Sequence, residues 1–272
     1  MGMERIEAAL AQAKHNGQVA IIPYLTVGFP SVEVTLELVS TMADGGAAVI
    51  ELGIPFSDPL ADGVTIQHAT FHALQQKVTP QVCLDLCSTL RERGLEVPLV
   101  LMGYYNPIYA YGLDEFTQAA RDAGVDGLIV ADLPSEESSP LKKACAESGL
   151  ALIPLLAPTS NEKRVAAACE GARGFVYCIS VTGVTGARDE LPSDINELVS
   201  NVRKHTDLAV AVGFGVSTRS HVERLSYTAD AVVIGSAFIR AIDQRHQEQA
   251  IPTIRSLLEE FTGISRHLSE EG

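Results

Sequence analysis

Two carboxylates eleven residues apart, Glu51 and Asp62, are the residues whose types and spacing promise chemistry. Glu51 interrupts an apolar run, Val49-Ile-Glu-Leu52. At the C-terminal end of a barrel strand such a carboxyl points inward to the mouth, where partial loss of hydration raises its pKa and suits it to general acid or base work. Asp62 follows a loop punctuated by Pro55 and Pro59, which can fold it back over the same mouth. Two carboxyls in different surroundings hold different protonation states and can divide acid from base roles. Structural uses compete: a salt-bridged strand end for Glu51, and for Asp62 an N-cap before a helix from Val64 to Leu74.

Other segments offer binding rather than proton transfer. Gly213-Phe-Gly215 and Gly235-Ser236 each follow an apolar run. Free backbone N–H groups at a helix start bind phosphate without basic side chains, and in barrels this site commonly follows strands seven and eight. Ser236 adds a hydroxyl and would cap the next helix; simple turn chemistry is the plainer use of these glycines. The stretch from Ser180 to Arg188, with two glycines and three hydroxyls, suits a mobile lid over a phosphorylated substrate. Tyr177 can point its phenol into the mouth or serve as a core aromatic. Gly103 to Gly112 holds four of the seven tyrosines and reads as a loop for an interface, an aromatic pocket or its own packing. Cys83 and Cys87 lie one helical turn apart, as do His68 and His72, yet zinc spacings are missing and both pairs fit amphipathic helices. No metal is expected.

The elements that must position these groups come from hydropathy. Apolar, β-branched runs occupy Val19–Thr26, Val49–Leu52, Pro98–Met102, Gly127–Val130, Leu150–Leu156, Phe175–Ile179, Leu208–Gly213 and Ala231–Ile234. They are continuous rather than alternating, as in parallel strands buried on both faces. Helical patterns lie between them. Ser31 caps one that Gly45-Gly46 ends. Others cover Gln81–Arg93, Leu113–Ala123, Ser139–Ser148, Asn161–Ala168, Ser193–Lys204 and Thr218–Leu225. Spreading 272 residues over eight strands gives 34 per unit, the size of one βα repeat. A closed (β/α)8 barrel and an open doubly wound sheet both fit. No linker divides the chain, so residues 1–272 are expected to form one domain. Helices at Met3–His15 and Ile251–Phe261 would close the bottom and the outside.

Composition narrows the partners. There are 34 acidic against 20 basic side chains, for a net charge of −14. That balance disfavours nucleic acid. No run of 18 apolar residues is present to span a membrane. The N-terminus lacks the apolar stretch of a secretory signal. Five scattered cysteines are not a disulfide framework and fit a reducing cytoplasm.

Several motifs in order, ELGIPFSDPLADG from Glu51 to Gly63, Thr65-Ile-Gln67, LMGYYNP from Leu101, ADLPSEE, SVTGVTGAR and GFGVST, resemble the α subunit of tryptophan synthase. The resemblance runs from Pro23 to Ala237. It implies a single (β/α)8 TIM barrel that cleaves indole-3-glycerol phosphate to indole and glyceraldehyde 3-phosphate by a retro-aldol reaction. By resemblance, Glu51 is the acid–base residue, Asp62 accepts the indole N–H, and Tyr177 lies beside Glu51. Tyr24, Met102, Tyr104 and Ile129 line the indole pocket. Gly186, Gly213, Gly215, Gly235 and Ser236 hold the phosphate, and Thr185 reaches Asp62 when the lid closes. The implied partner is a pyridoxal phosphate-dependent β subunit in an αββα complex, met by the loops at Pro55–Pro59 and Asn106-Pro107; the α chain itself needs no cofactor. A free-standing lyase releasing indole and a catalytically idle allosteric partner are the alternatives. Tyr24 stands where phenylalanine is common, Phe29 where many members have aspartate, and Val64 where proline is frequent.

Overall fold

The computed structural model describes residues 2–179, 193–213, 215–243 and 247–263. Within them are nine strands, with helices between all successive pairs except β5 and β6: β1 Ala20–Thr26, β2 Ile50–Gly53, β3 Leu99–Gly103, β4 Gly127–Val130, β5 Ala151–Leu152, β6 Leu155–Leu156, β7 Phe175–Ile179, β8 Ala209–Gly213 and β9 Ala231–Ile234. All pairings are parallel, in the order β5-β4-β3-β2-β1-β9-β8-β7-β6. The two outermost members, β5 and β6, are consecutive in the chain and parted only by Ile153-Pro154. Proline has no N–H to give a ladder, so the expected single run Leu150–Leu156 appears as two pieces. Bonding continues across the break. The Ile153 N–H donates to the Leu128 carbonyl (2.9 Å), and the Tyr177 N–H donates to the Pro154 carbonyl (3.0 Å). The sheet thereby closes into a (β/α)8 barrel whose fifth strand is in two halves.

Closure creates two apolar layers. Along β7, Phe175 and Tyr177 pack inside the barrel, while Val176 and Cys178 pack outward against the helices. Burial on both faces explains why the strands read as unbroken apolar runs. Ile6 and Leu10 of the helix Gly2–His15 join the inner layer and plug its N-terminal end. A Cβ on Gly127 would meet the Ile6 side chain at 3.0 Å, so a small residue there lets the plug seat. The helix Gln247–Phe261 lies outside, against Val32–Asp44.

The helix starts follow from capping. Ser31, Thr79, Asn161 and Thr218 each accept an N–H of the first turn. One expectation fails: Tyr105–Tyr111 is a helix, not a loop. Pro107 is its third residue, within the first turn, where no intrahelical N–H is required. The Asp132 carboxylate accepts the Tyr105 N–H (2.7 Å) at its start. The barrel bottom is tied by Asp126, which accepts Leu99 N–H (2.8 Å) and pairs with Arg91 (2.7 Å) and Arg5 (2.5 Å).

Candidate active site

The inward residues at the C-terminal ends of the strands enclose a cavity of about 240 Å³. Glu51 stands in it in register with Tyr24 on β1 and Val100 on β3. The residue is 1 % exposed, and its Oε2 has no hydrogen-bond partner among the described residues. Burial, followed by the nearby charge of Asp62, raises its pKa to about 8. Asp62 reaches the same cavity from the loop after β2. Burial raises its pKa to about 6, and a hydrogen bond from Tyr104 opposes that rise. Of the two, Glu51 is held more strongly towards its protonated form.

Asp62 is not the helix cap that competes for its role in the sequence. Gly63 occupies the N-cap of Val64–Gln75 and makes no side-chain bond. The Asp62 carboxylate is instead steered by Tyr104. The Tyr104 hydroxyl accepts the Ala61 N–H (3.0 Å) and donates to Asp62. Nothing in the spacing announces this link, since 42 residues part the two side chains. Tyr104 itself is buried and stacks at a tilt on Phe56 (5.3 Å) rather than lining the cavity.

The remaining expected residues divide. Tyr24, Met102 and Tyr177 line the cavity. Ile129, in register with Met102, is packed into the inner core instead. Gly213, Gly215, Gly235 and Ser236 gather along one side of the cavity. Ser236 is the first residue of the helix Ser236–Asp243 rather than its cap; the Gly235 carbonyl accepts the Ile239 N–H (3.1 Å). The φ of +39° at Gly215 lies in the left-handed region that favours glycine. A Cβ on Gly213 would fall on the Tyr177 hydroxyl, so this glycine also admits that phenol. Thr185 and Gly186 lie outside the described residues.

The apolar walls Ile66, Leu155, Ile179, Val216 and Val233 escape sequence reading. Counting by twos from Glu51 along its strand gives the inward phase there, but uniformly apolar strands hide that phase elsewhere. Among the described residues no Lys, Arg or His lines the cavity. An anion would be met by backbone N–H groups and the Ser236 hydroxyl. Cys83 and Cys87 face the core, His72 Nε2 bonds the Pro30 carbonyl (3.1 Å), and His68 lies 3.9 Å from Asp243. A second cavity, about 270 Å³, lies outside the barrel wall, where its carboxylates Glu136 and Glu170 are exposed.

A (β/α)8 barrel whose cavity at the C-terminal strand ends holds two carboxyls withdrawn from solvent beside a row of glycines has the architecture of the barrel enzymes. The model of the tryptophan synthase alpha chain family matches residues 10–265. The alpha chain of Dehalococcoides mccartyi is 44% identical over 256 residues, covering 94% of this chain and 98% of its own. Mycobacterium tuberculosis tryptophan synthase superposes with a TM-score of 0.88 at 35% identity, covering 96% of this chain and 98% of that one. The tryptophan synthase a2b2 complex of Pyrococcus furiosus gives 0.85 at 39% identity, covering 90% and 98%. The chain belongs to the tryptophan synthase alpha chain family. Its reaction is the carbon–carbon cleavage of indole-3-glycerol phosphate.

Proposed function

We propose that Glu51 and Asp62 perform this cleavage by exchanging protons at two ends of one indole ring. The observation that carries the reading is a pair of carboxyls, Glu51 and Asp62, withdrawn from solvent and facing one cavity in unlike surroundings, which raise the pKa of Glu51 further than that of Asp62. Protonated Glu51 gives its proton to indole C3, while ionised Asp62 takes the N1 proton. The ring becomes an indolenine. Glu51, now a carboxylate, removes the proton of the adjacent glycerol hydroxyl. The C3–C bond breaks, its electrons return to the ring, and Asp62 returns its proton to nitrogen. Indole and glyceraldehyde 3-phosphate leave, with both carboxyls restored. Tyr104 orders Asp62, and Tyr177 lies beside Glu51. Tyr24 and Met102 wall the ring, with Ile129 beside Met102 on the neighbouring strand, in the inner core.

The phosphate is held by Gly213, Gly215, Gly235 and Ser236, with Gly186 completing the grip and Thr185 reaching Asp62 as a lid. The helix start at Ser236 directs N–H groups there. We further propose an αββα complex with a pyridoxal phosphate-dependent β subunit that receives the indole. The relative from Pyrococcus furiosus is such an a2b2 complex. Leu60 (93% exposed) directly follows the Pro55–Pro59 loop and Tyr109 lies two residues past Asn106-Pro107, and both present apolar surface beside the segments expected to meet that subunit. The α chain works with side chains alone, the pyridoxal group belonging to the partner. Five free, buried cysteines suit the cytoplasm.

The test uses the absence of tryptophan from the chain, so that indole fluorescence comes from substrate and product without a protein background, and released indole is followed after its separation from substrate. Glu51→Gln should nearly abolish indole release while substrate still binds, and Asp62→Asn should slow it by about 100-fold or more. Wild-type kcat/KM should trace a bell, rising as Asp62 ionises near pH 6 and falling as Glu51 loses its proton near pH 8. Addition of a β subunit should accelerate release. Full turnover by Glu51→Gln would remove the acid–base assignment.

A further inference from the structure

We propose that the Tyr24 hydroxyl, backed by Thr26, is a positioning residue for Glu51, donating a hydrogen bond to its carboxylate when that group is charged. The proposal rests on the acid–base reading above and concerns a hydroxyl that a phenylalanine at this position would lack.

Placement comes first. Tyr24 and Thr26 are successive inward residues at the mouth end of β1, in register with Glu51 and Gly53. The Tyr24 ring starts beside Gly235, where a Cβ would meet ring atoms at 3.3 to 3.5 Å. It ends at Gly53, where a Cβ would fall on its hydroxyl. The phenol thus crosses the strand that carries Glu51, two residues beyond it. Tyr177 has the same disposition across the barrel, with its hydroxyl over Gly213 of the next strand. Two phenols at equivalent places flank one glutamate.

Hydrogen counting comes second. Tyr24 Oη and Thr26 Oγ1 lie 3.2 Å apart and share one hydrogen bond, in which either is donor. Two hydroxyls carry two hydrogens, so one remains after that bond is made. No other partner of either hydroxyl is present among the described residues. On the acceptor side, Glu51 Oε2 is buried and unpartnered. A spare donor and an orphan acceptor on paired strands of one cavity complement each other. With Thr26 donating to Tyr24, the phenol hydrogen is left for the carboxylate once the Glu51 side chain turns towards it. Burial, with Asp62 and Glu51 nearby, holds the phenol well above its ordinary pKa, so it stays a donor. The titratable groups around Glu51 are Tyr24 from β1, Asp62 from the loop after β2 and Tyr177 from β7, with Tyr104 after β3 reaching it only through Asp62.

The experiment is the pH profile of kcat/KM for Tyr24→Phe and Thr26→Val beside wild type. A donor to the charged form lowers the pKa of an acid, so its loss raises it. Tyr24→Phe should move the alkaline limb upward by about one pH unit, as expected for one hydrogen bond to a charged group. Thr26→Val, which leaves the phenol hydrogen but frees its direction, should move it less in the same sense. An unmoved or lowered limb in Tyr24→Phe overturns the proposal, including the case where only KM changes and Tyr24 is a wall alone. A wild-type profile with no alkaline limb would instead overturn the acid–base reading beneath it.

Discussion

Glu51 keeps one carboxyl oxygen sealed from water and unpaired, and that holds the group towards its neutral form. The same displacement acts on stability. An unfolded glutamate loses its proton near 4.5, whereas the folded one keeps it to about 8. Between those values the native state binds the extra proton, so stability falls as pH rises through the window and stays low above it. Glu51→Gln, which has nothing to ionise, should therefore melt higher than wild type at pH 8. The gap should shrink towards pH 5. Melting curves at the two values check this; equal midpoints at pH 8 would show that the charge is accommodated without cost. The residue scale is also where the sequence speaks most unevenly. Glu51 stands out because a charge in an apolar strand is conspicuous. The Tyr104–Asp62 bond is silent, because only the fold brings a residue after β3 against the loop after β2. Ile129 is one apolar residue among many, with nothing to tell a core position from a cavity wall.

At the scale of elements, local chemistry is legible wherever it is local. Ser31, Thr79, Asn161 and Thr218 cap their helices as side-chain acceptors at an N-terminus do. Gly127–Val130, Phe175–Ile179 and Ala231–Ile234 match their apolar runs residue for residue. The helix at Tyr105–Tyr111 is hidden because proline and flanking glycines read as loop, and its starting N–H is met by Asp132, 27 residues on. Asp126 likewise joins elements that the sequence keeps apart. It is fully buried and holds Arg5 of the plug helix, Arg91 of Pro80–Glu92 and the start of β3. Asp126→Asn would leave Arg91 facing a neutral amide in a largely dry site. We expect a loss of about 3 to 5 kcal/mol in urea unfolding, as for a broken buried pair. KM should be unchanged, since this network sits at the end of the barrel away from the cavity. A stability within 1 kcal/mol of wild type, roughly the worth of a surface pair, would show that the pair is dispensable.

For the whole molecule, eight apolar runs at the spacing of βα repeats leave two architectures open, and the ring is decided by contacts no local pattern encodes. Ile153 reaches β4 and Pro154 reaches β7, so the chain's fifth strand joins the two ends of the sheet. That joint is also the barrel's thinnest, two strand pieces of two residues each about a proline that offers no amide. Thermal breathing of the ring should begin there, and deuterium should enter the Ile153 and Tyr177 amides before those of Leu52 and Leu101. Slower uptake at the joint than in β2 and β3 would show the ring to part elsewhere. Because Leu155 belongs to this seam and also walls the cavity that holds Glu51 and Asp62, each such opening would loosen the vessel in which we propose that indole is released.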